Sequence, residues 1–268
     1  MRVAIRAHAK INPYLWVGSL QADGYHEIDT ILQAVELHDV LSFYPSDATT
    51  VRCSDPLLDG ESNLVSKAYR LSSEFVNLPK LDIYIEKNIP TQAGLGGGSS
   101  DAAAALRVFD KLSGGSLAND INEIGLACGS DVPFFLGMGT RARATGRGEA
   151  LQALDAIAEQ ALVVAKPLSI SCNTADAYRR LDEIQNGPSQ RPETMPYNDF
   201  ERVAPCESLE LLDRMRVLGV TKCGLCGSGS AVYGFVNQAD NIAGALRSES
   251  VWAVATKTIT NFGEPWTL

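Results

Sequence analysis

The twelve residues from Pro90 to Asp101 read Pro-Thr-Gln-Ala-Gly-Leu-Gly-Gly-Gly-Ser-Ser-Asp, and they constrain the fold more than any other stretch of the chain. An alternating segment, Leu81 to Ile85, runs into them, and from Ser100 to Leu112 apolar residues return at helical spacing. The order is strand, loop, helix. Glycines at 94, 96, 97 and 98 permit positive φ and carry no side chains, so consecutive backbone N–H groups can converge on one anion. Ser99 or Ser100 is the expected N-cap, and the helix N-terminus behind it adds about half a positive charge. A plainer reading is a flexible glycine turn opening an alanine-rich helix, but the proline, the spacing and the paired serines favour a phosphate cradle. Neither common nucleotide fingerprint is present: the chain has no Gly-Lys pair and no Gly-x-Gly-x-x-Gly.

A chain of 268 residues can bury a sizeable core as one large or two modest domains. Its net charge of -9 and lack of a basic run disfavour nucleic acid as a partner, so an anionic ligand needs locally supplied positive charge. No run approaches the ~20 apolar residues of a membrane span, and Met1 to Lys10 lacks the apolar stretch of a signal peptide. A cytoplasmic protein that does not engage membranes is expected. Six widely spread cysteines suit reduced thiols, and the lone Cys223-Gly-Leu-Cys226 lacks the further ligands zinc needs nearby.

The first third reads as strands: Arg2 to Arg6, Asn12 to Val17, and Val40 to Tyr44 after a turn-like Leu37-His38-Asp39. Ser62 or Asn63 caps a helix with Leu64, Val65, Ala68, Tyr69 and Phe75 on one face. A strand over Leu81 to Ile89 feeds the glycine loop, Gly114-Gly115 stops its helix, and another helix covers about Asn119 to Cys128. Beyond residue 155 the pattern changes. Ala161 to Ala165 is a continuous apolar strand, Thr174 caps a helix to about Ile184, and Gln185 to Pro196 is a polar loop. A helix at Cys206 to Leu218, a strand at Ala231 to Val236, a helix at Ala239 to Arg247 and a strand at Val251 to Thr256 follow. The class is α+β, with a sheet on one side and helices on the other and a boundary near 150–158.

Four clusters join the loop as candidate chemistry. They are Lys10 and Asn12 in an apolar strand, Asp23-Gly-Tyr-His-Glu27, Gly129-Ser-Asp-Val-Pro133, and Gly224-Leu-Cys-Gly-Ser-Gly-Ser230. Singly they read as a solvated strand end, a hairpin, a cap or turn residue, and a tight turn. Together they match what phosphoryl transfer to an alcohol requires: an anion cradle, positive charge at the transferred group, and a carboxylate near the accepting hydroxyl.

The glycine loop resembles that of the GHMP kinases, whose nucleotide loop follows Pro-x-x-x-Gly-Leu-Gly-[Ser/Gly]-Ser-Ser. Ala9-Lys-Ile-Asn12, Asp23-Gly-Tyr-His-Glu27, Asn63-Leu64, Gly129-Ser-Asp-Val-Pro133, Gly146-Arg-Gly-Glu149, Pro196-Tyr-Asn-Asp199 and Gly227-Ser-Gly-Ser230 extend the likeness over nearly the whole chain. They are similar to the member of that superfamily that phosphorylates a cytidine-diphosphate methylerythritol. The resemblance implies a two-domain GHMP kinase fold, with an ATP-binding and catalytic domain over 1–155 and a ferredoxin-like α/β sandwich on the substrate side over 156–268. It implies Asp131 as catalytic base and Lys10 as the partner that orients or polarises the hydroxyl. Asn63, Leu64 and Lys87 fall at the nucleoside end of ATP. Pro90, Thr91, Gln92, Ala93, Gly94, Leu95, Gly96, Gly97, Gly98, Ser99 and Ser100 hold the triphosphate, and Mg2+ accompanies ATP through ligands the resemblance leaves unnamed. Asn12 contacts the small-molecule substrate near the transferred group, Tyr25 and Tyr178 sandwich the cytosine, and His26 bonds the base edge. Tyr178 could equally be a core aromatic. Asp101 would bring negative charge close to bound phosphate. Another GHMP kinase specificity, for homoserine or a sugar, and a non-catalytic ligand-binding relative are the alternatives.

Overall fold

The computed structural model describes residues 2–22, 24–137, 139–184 and 190–268. Asp23 of the expected hairpin and residues 185–189 of the expected polar loop lie outside them. The chain begins with two long strands, β1 (Val3–Leu20) and β2 (His26–Pro45), paired antiparallel along their length. β1 runs without a break where two shorter strands were expected. β2 likewise passes through Leu37-His38-Asp39, which is strand and not a turn, because the β1 ladder pairs His38 and Asp39. Register shifts between His8 and Lys10 and between Ile11 and Tyr14 interrupt the ladder around Lys10 and Asn12, the kind of irregularity that re-aims side chains.

β3 (Thr50–Cys53), unexpected from the sequence, precedes α1 (Leu64–Phe75) and β4 (Leu81–Glu86). Asn63 is the N-cap of α1, its side chain accepting from the Val65 amide at 2.9 Å, an interaction worth about 1 kcal/mol. Next come α2 (Gly97–Leu112), α3 (Ile121–Cys128), the single-turn α4 (Val132–Phe135), β5 (Arg141–Gly146) and β6 (Ala150–Ala153). These strands form one sheet in the order β4, β2, β1, with β3 beside β4 and β5 and β6 continuing from β2. Its core packs Ile5, Phe43, Leu41 and Ile83 against Ala102, Leu106 and Phe109 of α2. Phe43 and Tyr69 meet the Phe109 ring edge-on.

The rest of the chain supplies β7 (Ala161–Pro167), α5 (Thr174–Ile184), β8 (Tyr197–Asn198), α6 (Cys206–Val217), β9 (Lys222–Leu225), β10 (Val232–Phe235), α7 (Ala239–Leu246), β11 (Val251–Lys257) and β12 (Trp266–Thr267). α5 is capped by Asn173, not Thr174: the Asn173 Oδ1 accepts from the amides of Ala175 and Asp176 at 2.9 and 3.3 Å. The second sheet is antiparallel in the order β11, β7, β10, β9, with α6 joining its first two strands in sequence and α7 its last two, a ferredoxin-like arrangement. β7 reads as a continuous apolar run because both its faces are covered. Val163 and Ala165 pack with Leu211, Met215 and Leu246 of the helices, while Leu162 and Val164 join Ala9, Ile11, Val35, Ala93 and Leu95. This last cluster joins the two sheets beneath the glycine loop. β8 and β12 return to the first sheet and pair with β1.

His8 on β1 is buried, with Nδ1 donating to the Val35 carbonyl at 3.2 Å and its ring 5.3 Å from that of His38. Burial, then the neighbouring His38, lowers its pKa to about 4. Protonation therefore favours the unfolded chain: this contribution is complete above the unfolded pKa of about 6.5 and is lost as pH falls towards 4, up to about 3 kcal/mol. The melting temperature of His8→Gln should accordingly approach that of wild type as pH is lowered from 7.5 to 5. A difference that stays constant over that range would remove His8 from the acid response.

Candidate functional site

The loop leaves β4, crosses Pro90 to Gly96 and enters α2. Gln92, Gly94 and Gly96 have φ of 50°, 75° and 73°, so the loop turns through left-handed backbone at alternate residues. The α2 N-cap is Gly96, without a side-chain cap hydrogen bond. Ser99 and Ser100 lie inside the first turn and are not caps, because the glycines extend the helix three residues beyond the first expected one. The carbonyls of Gln92, Ala93 and Leu95 accept from the amides of Cys172, Ala231 and Lys10 at 3.2, 3.1 and 3.0 Å. The loop is thus tied through its acceptors to both sheets, and the first-turn amides of α2 carry no side-chain cap, as an anion requires.

A second glycine turn, Cys226 to Gly229, locks against the first. A Cβ on Gly94 would lie 1.9 Å from the Cys226 carbonyl oxygen, so the two backbones meet with no room for a side chain. Cys226 is itself fully buried in the cluster under the loop, and burial pushes its thiol up to about 12.

Beside the loop, Lys10 Nζ donates to Asn12 Oδ1 at 2.8 Å and stands 3.7 Å from Asp131 Oδ2. Asp131 is the N-cap position of α4 but makes no side-chain cap hydrogen bond, which leaves its carboxylate facing Lys10. Lys10 is buried, whereas the Asp131 side chain is 36% exposed towards the cavity. Asn12 is buried with its amide engaged throughout: Oδ1 also accepts from the Gly227 amide at 3.0 Å, and Nδ2 donates to Thr30 Oγ1 at 2.9 Å. In this arrangement Asn12 holds Lys10 and the second glycine turn.

All of these face one cavity of ≈1140 Å³ between the sheets. Every site residue expected from the sequence lines it except Ser100, which is buried in α2. At one end stand Leu57, Leu58, Asn63, Leu64 and Lys87. The Asn63 side chain is committed to its cap and to the Leu58 carbonyl at 2.9 Å, and Lys87 Nζ is ion-paired with Asp39 and with Asp101, the latter at 2.6 Å. That pairing places a cation against the Asp101 charge that the sequence left beside the phosphate site.

At the other end, the His26 ring stacks on Tyr178 with centroids 5.0 Å apart and planes 14° apart, and Tyr178 meets Phe200 edge-on. His26 Nδ1 donates to the Gly18 carbonyl at 3.0 Å, and Nε2 faces Asp182 Oδ1 at 3.3 Å. Burial, and secondarily the Asp131 carboxylate, push the Tyr178 hydroxyl up to about 12. Tyr25 is exposed with the Arg147 guanidinium 4.0 Å over its ring. Sequence reasoning missed Asp182, Arg147 and the Thr174–Ser228 hydroxyl pair at 3.0 Å, all on the wall. Arg147 lay within the quoted Gly-Arg-Gly-Glu segment, and its chemistry was not drawn out. Asp182 carried no local signal, being one acid on a polar helix face.

A strand–glycine loop–helix cradle over a ferredoxin-like second sheet is the GHMP kinase architecture, and residues 63–139 match the GHMP kinases N terminal domain. The chain is 34% identical to the 4-diphosphocytidyl-2-C-methyl-D-erythritol kinase of Caldanaerobacter subterraneus subsp. tengcongensis, over 97% of this chain and 98% of that protein. It is 35% identical to the enzyme of the same name from Protochlamydia amoebophila, over 84% and 81%. A crystal structure of 4-(cytidine 5'-diphospho)-2C-methyl-D-erythritol kinase superposes with a TM-score of 0.81 at 33% identity, covering 95% of this chain and 98% of that one. The chain belongs to the 4-diphosphocytidyl-2-C-methyl-D-erythritol kinase family.

Proposed function

We infer that the chain transfers the γ-phosphoryl group of ATP to the 2-hydroxyl of 4-(cytidine 5'-diphospho)-2-C-methyl-D-erythritol, giving the 2-phosphate and ADP in non-mevalonate isoprenoid biosynthesis. The observation that carries this reading is the convergence of Lys10 and Asp131, 3.7 Å apart, beside the glycine cradle in one cavity. Pro90 to Ser99 hold the triphosphate, with Ser100 supporting the turn from inside α2. The hydroxyl oxygen forms a bond to Pγ as the bond from Pγ to the β-phosphate oxygen breaks, and Asp131 takes the hydroxyl proton. Lys10, fixed by Asn12, offsets the charge that develops on the transferred group. Asn63, Leu64 and Lys87 flank the adenosine end.

Among the described residues no group of three or more His, Cys, Asp or Glu could hold a metal by itself. Mg2+ needs only one or two protein oxygens when phosphates supply the rest, and the Ser99 hydroxyl on the cavity wall suits it. Bound there with ATP, the ion would neutralise charge on the β- and γ-phosphates.

Tyr25, Tyr178 and His26 form the cytidine end, with His26 Nε2 at the base edge. Base stacking on an aromatic ring is worth about 1–3 kcal/mol, so Tyr25→Ala should raise KM for the cytidine substrate roughly tenfold with little loss of kcat. The reverse split in steady-state kinetics would argue against stacking. ADP release with Mg-ATP and a panel of alcohols tests the whole reading: the cytidine-diphosphate methylerythritol should turn over, and homoserine, mevalonate and galactose should not. Turnover of one of the other three in its place would overturn it.

No helix among the described residues is long and apolar enough to cross a membrane. A cytoplasmic enzyme acting on small molecules, divided into units 1–155 and 156–268, completes the proposal. Limited proteolysis between β6 and β7 tests that division.

A further inference from the structure

The stem of the phosphate loop is held by a residue outside the proposed reaction machinery. Asp39, on β2, is fully buried. Its Oδ1 accepts from the main-chain amides of Asn88 and Ile89 at 2.5 and 2.8 Å, and its Oδ2 accepts from Lys87 Nζ. Three consecutive residues between β4 and Pro90 thus end on one carboxylate. Lys87 Nζ carries the connection onward to Asp101 Oδ2, at 2.6 Å, on the first turns of α2. The ammonium lies 3.5 Å from where a Cβ of Gly97 would stand, directly behind the helix start that closes the cradle. The loop from Pro90 to Gly96 is therefore a span whose two ends are fixed to each other through one ion-paired cluster.

We propose that Asp39, with Lys87 and Asp101, forms a clamp that positions the phosphate loop for ATP, making Asp39 and Asp101 positioning residues for the nucleotide and not for the alcohol. A backbone cradle binds an anion only when its amides are already convergent, so slack at either end of the span lowers nucleotide affinity. The two carboxylates have different tasks. Asp39 binds backbone donors as well as the ammonium. Asp101 has one oxygen on Lys87 and the other, Oδ1, buried without a partner. Burial raises the Asp101 pKa, while the Lys87 ammonium beside it opposes that shift. An amide at position 101 keeps one oxygen to accept from Lys87, whereas an amide at position 39 loses one of the two oxygens that accept from Lys87 and from the Asn88 and Ile89 amides.

The proposal rests on the reading of this cavity as an ATP site, and the test separates the two. Calorimetric titration of the full chain with Mg-ATP is combined with steady-state KM values for both substrates. Asp39→Asn should weaken ATP binding about tenfold or more while KM for the cytidine substrate stays within about threefold. Asp101→Ala should weaken ATP about fivefold and Asp101→Asn should restore it to within about twofold, a contrast available even if Asp39→Asn does not fold. Equal loss for both substrates, or Asp101→Asn behaving like Asp101→Ala, would show a merely structural role and overturn the clamp. Unchanged ATP affinity in a folded Asp39→Asn overturns the clamp alone. Failure of the wild-type chain to bind ATP overturns the site reading and the clamp with it.

Discussion

Asp131→Ala is expected to slow the chemical step by about 10²-fold or more while leaving ATP affinity nearly unchanged. The expectation follows from placement. Asp131 starts α4 but does not cap it, so its carboxylate is not required to hold the helix, and it stands 3.7 Å from Lys10 on the cavity wall. Asp131→Asn sharpens the test, because it keeps the shape and removes the proton acceptor. Rapid-quench measurement of a single turnover should show both variants slowed alike. An Asn variant with a wild-type rate would end the case both for Asp131 as base and for a catalytic need of its charge beside Lys10.

The second large effect is expected at Gly94. An alanine there would place its Cβ 1.9 Å from the Cys226 oxygen and 2.8 Å from the Cys226 carbonyl carbon, at a φ of +75° that L-residues rarely adopt. Both obstacles are backbone, so no side chain can swing aside and the two glycine turns must part. A loss of about 3 kcal/mol or more, and with it ATP binding, is expected in thermal melting and nucleotide titration. Gly244→Ala provides the opposite sign. It is exposed on the outer face of α7 with nothing within 4 Å of the added methyl, so helix propensity alone should add up to about 1 kcal/mol. Should Gly94→Ala melt with wild type, the contact between the turns is not a structural requirement.

The parts of the fold that could be read from the sequence are those whose signal is local. The strand, loop and helix around Pro90–Asp101, the Asn63 cap and the two-sided apolar run of β7 each announce themselves within about ten residues. The failures share a different cause. The edge strands β3, β6 and β9 have four residues each and take their form from a neighbour, and Leu37-His38-Asp39 looks like a turn until β1 is laid beside it. Capping failed where glycine or a preceding asparagine did what a serine or threonine was expected to do. At the site, the resemblance named residues that line the cavity, but it did not foretell how they are tied. Asn12 has its amide committed to Lys10, Thr30 and Gly227, and His26 is stacked on Tyr178 instead of standing apart from it.

The interlock between the two glycine turns also dictates an order of assembly. The Ala93 carbonyl receives the Ala231 amide, Gly94 rests on Cys226, and Asn12 meets Gly227 across 215 positions of sequence. During synthesis the glycine loop emerges well over a hundred residues before its far wall, which arrives only with residues 226–231. Contacts of such long range close late, after the chain entropy between them has been overcome. A nascent chain that already displays the whole of residues 63–139 would therefore hold an unsupported loop, and nucleotide could help complete the fold only once residues 226–231 have been made.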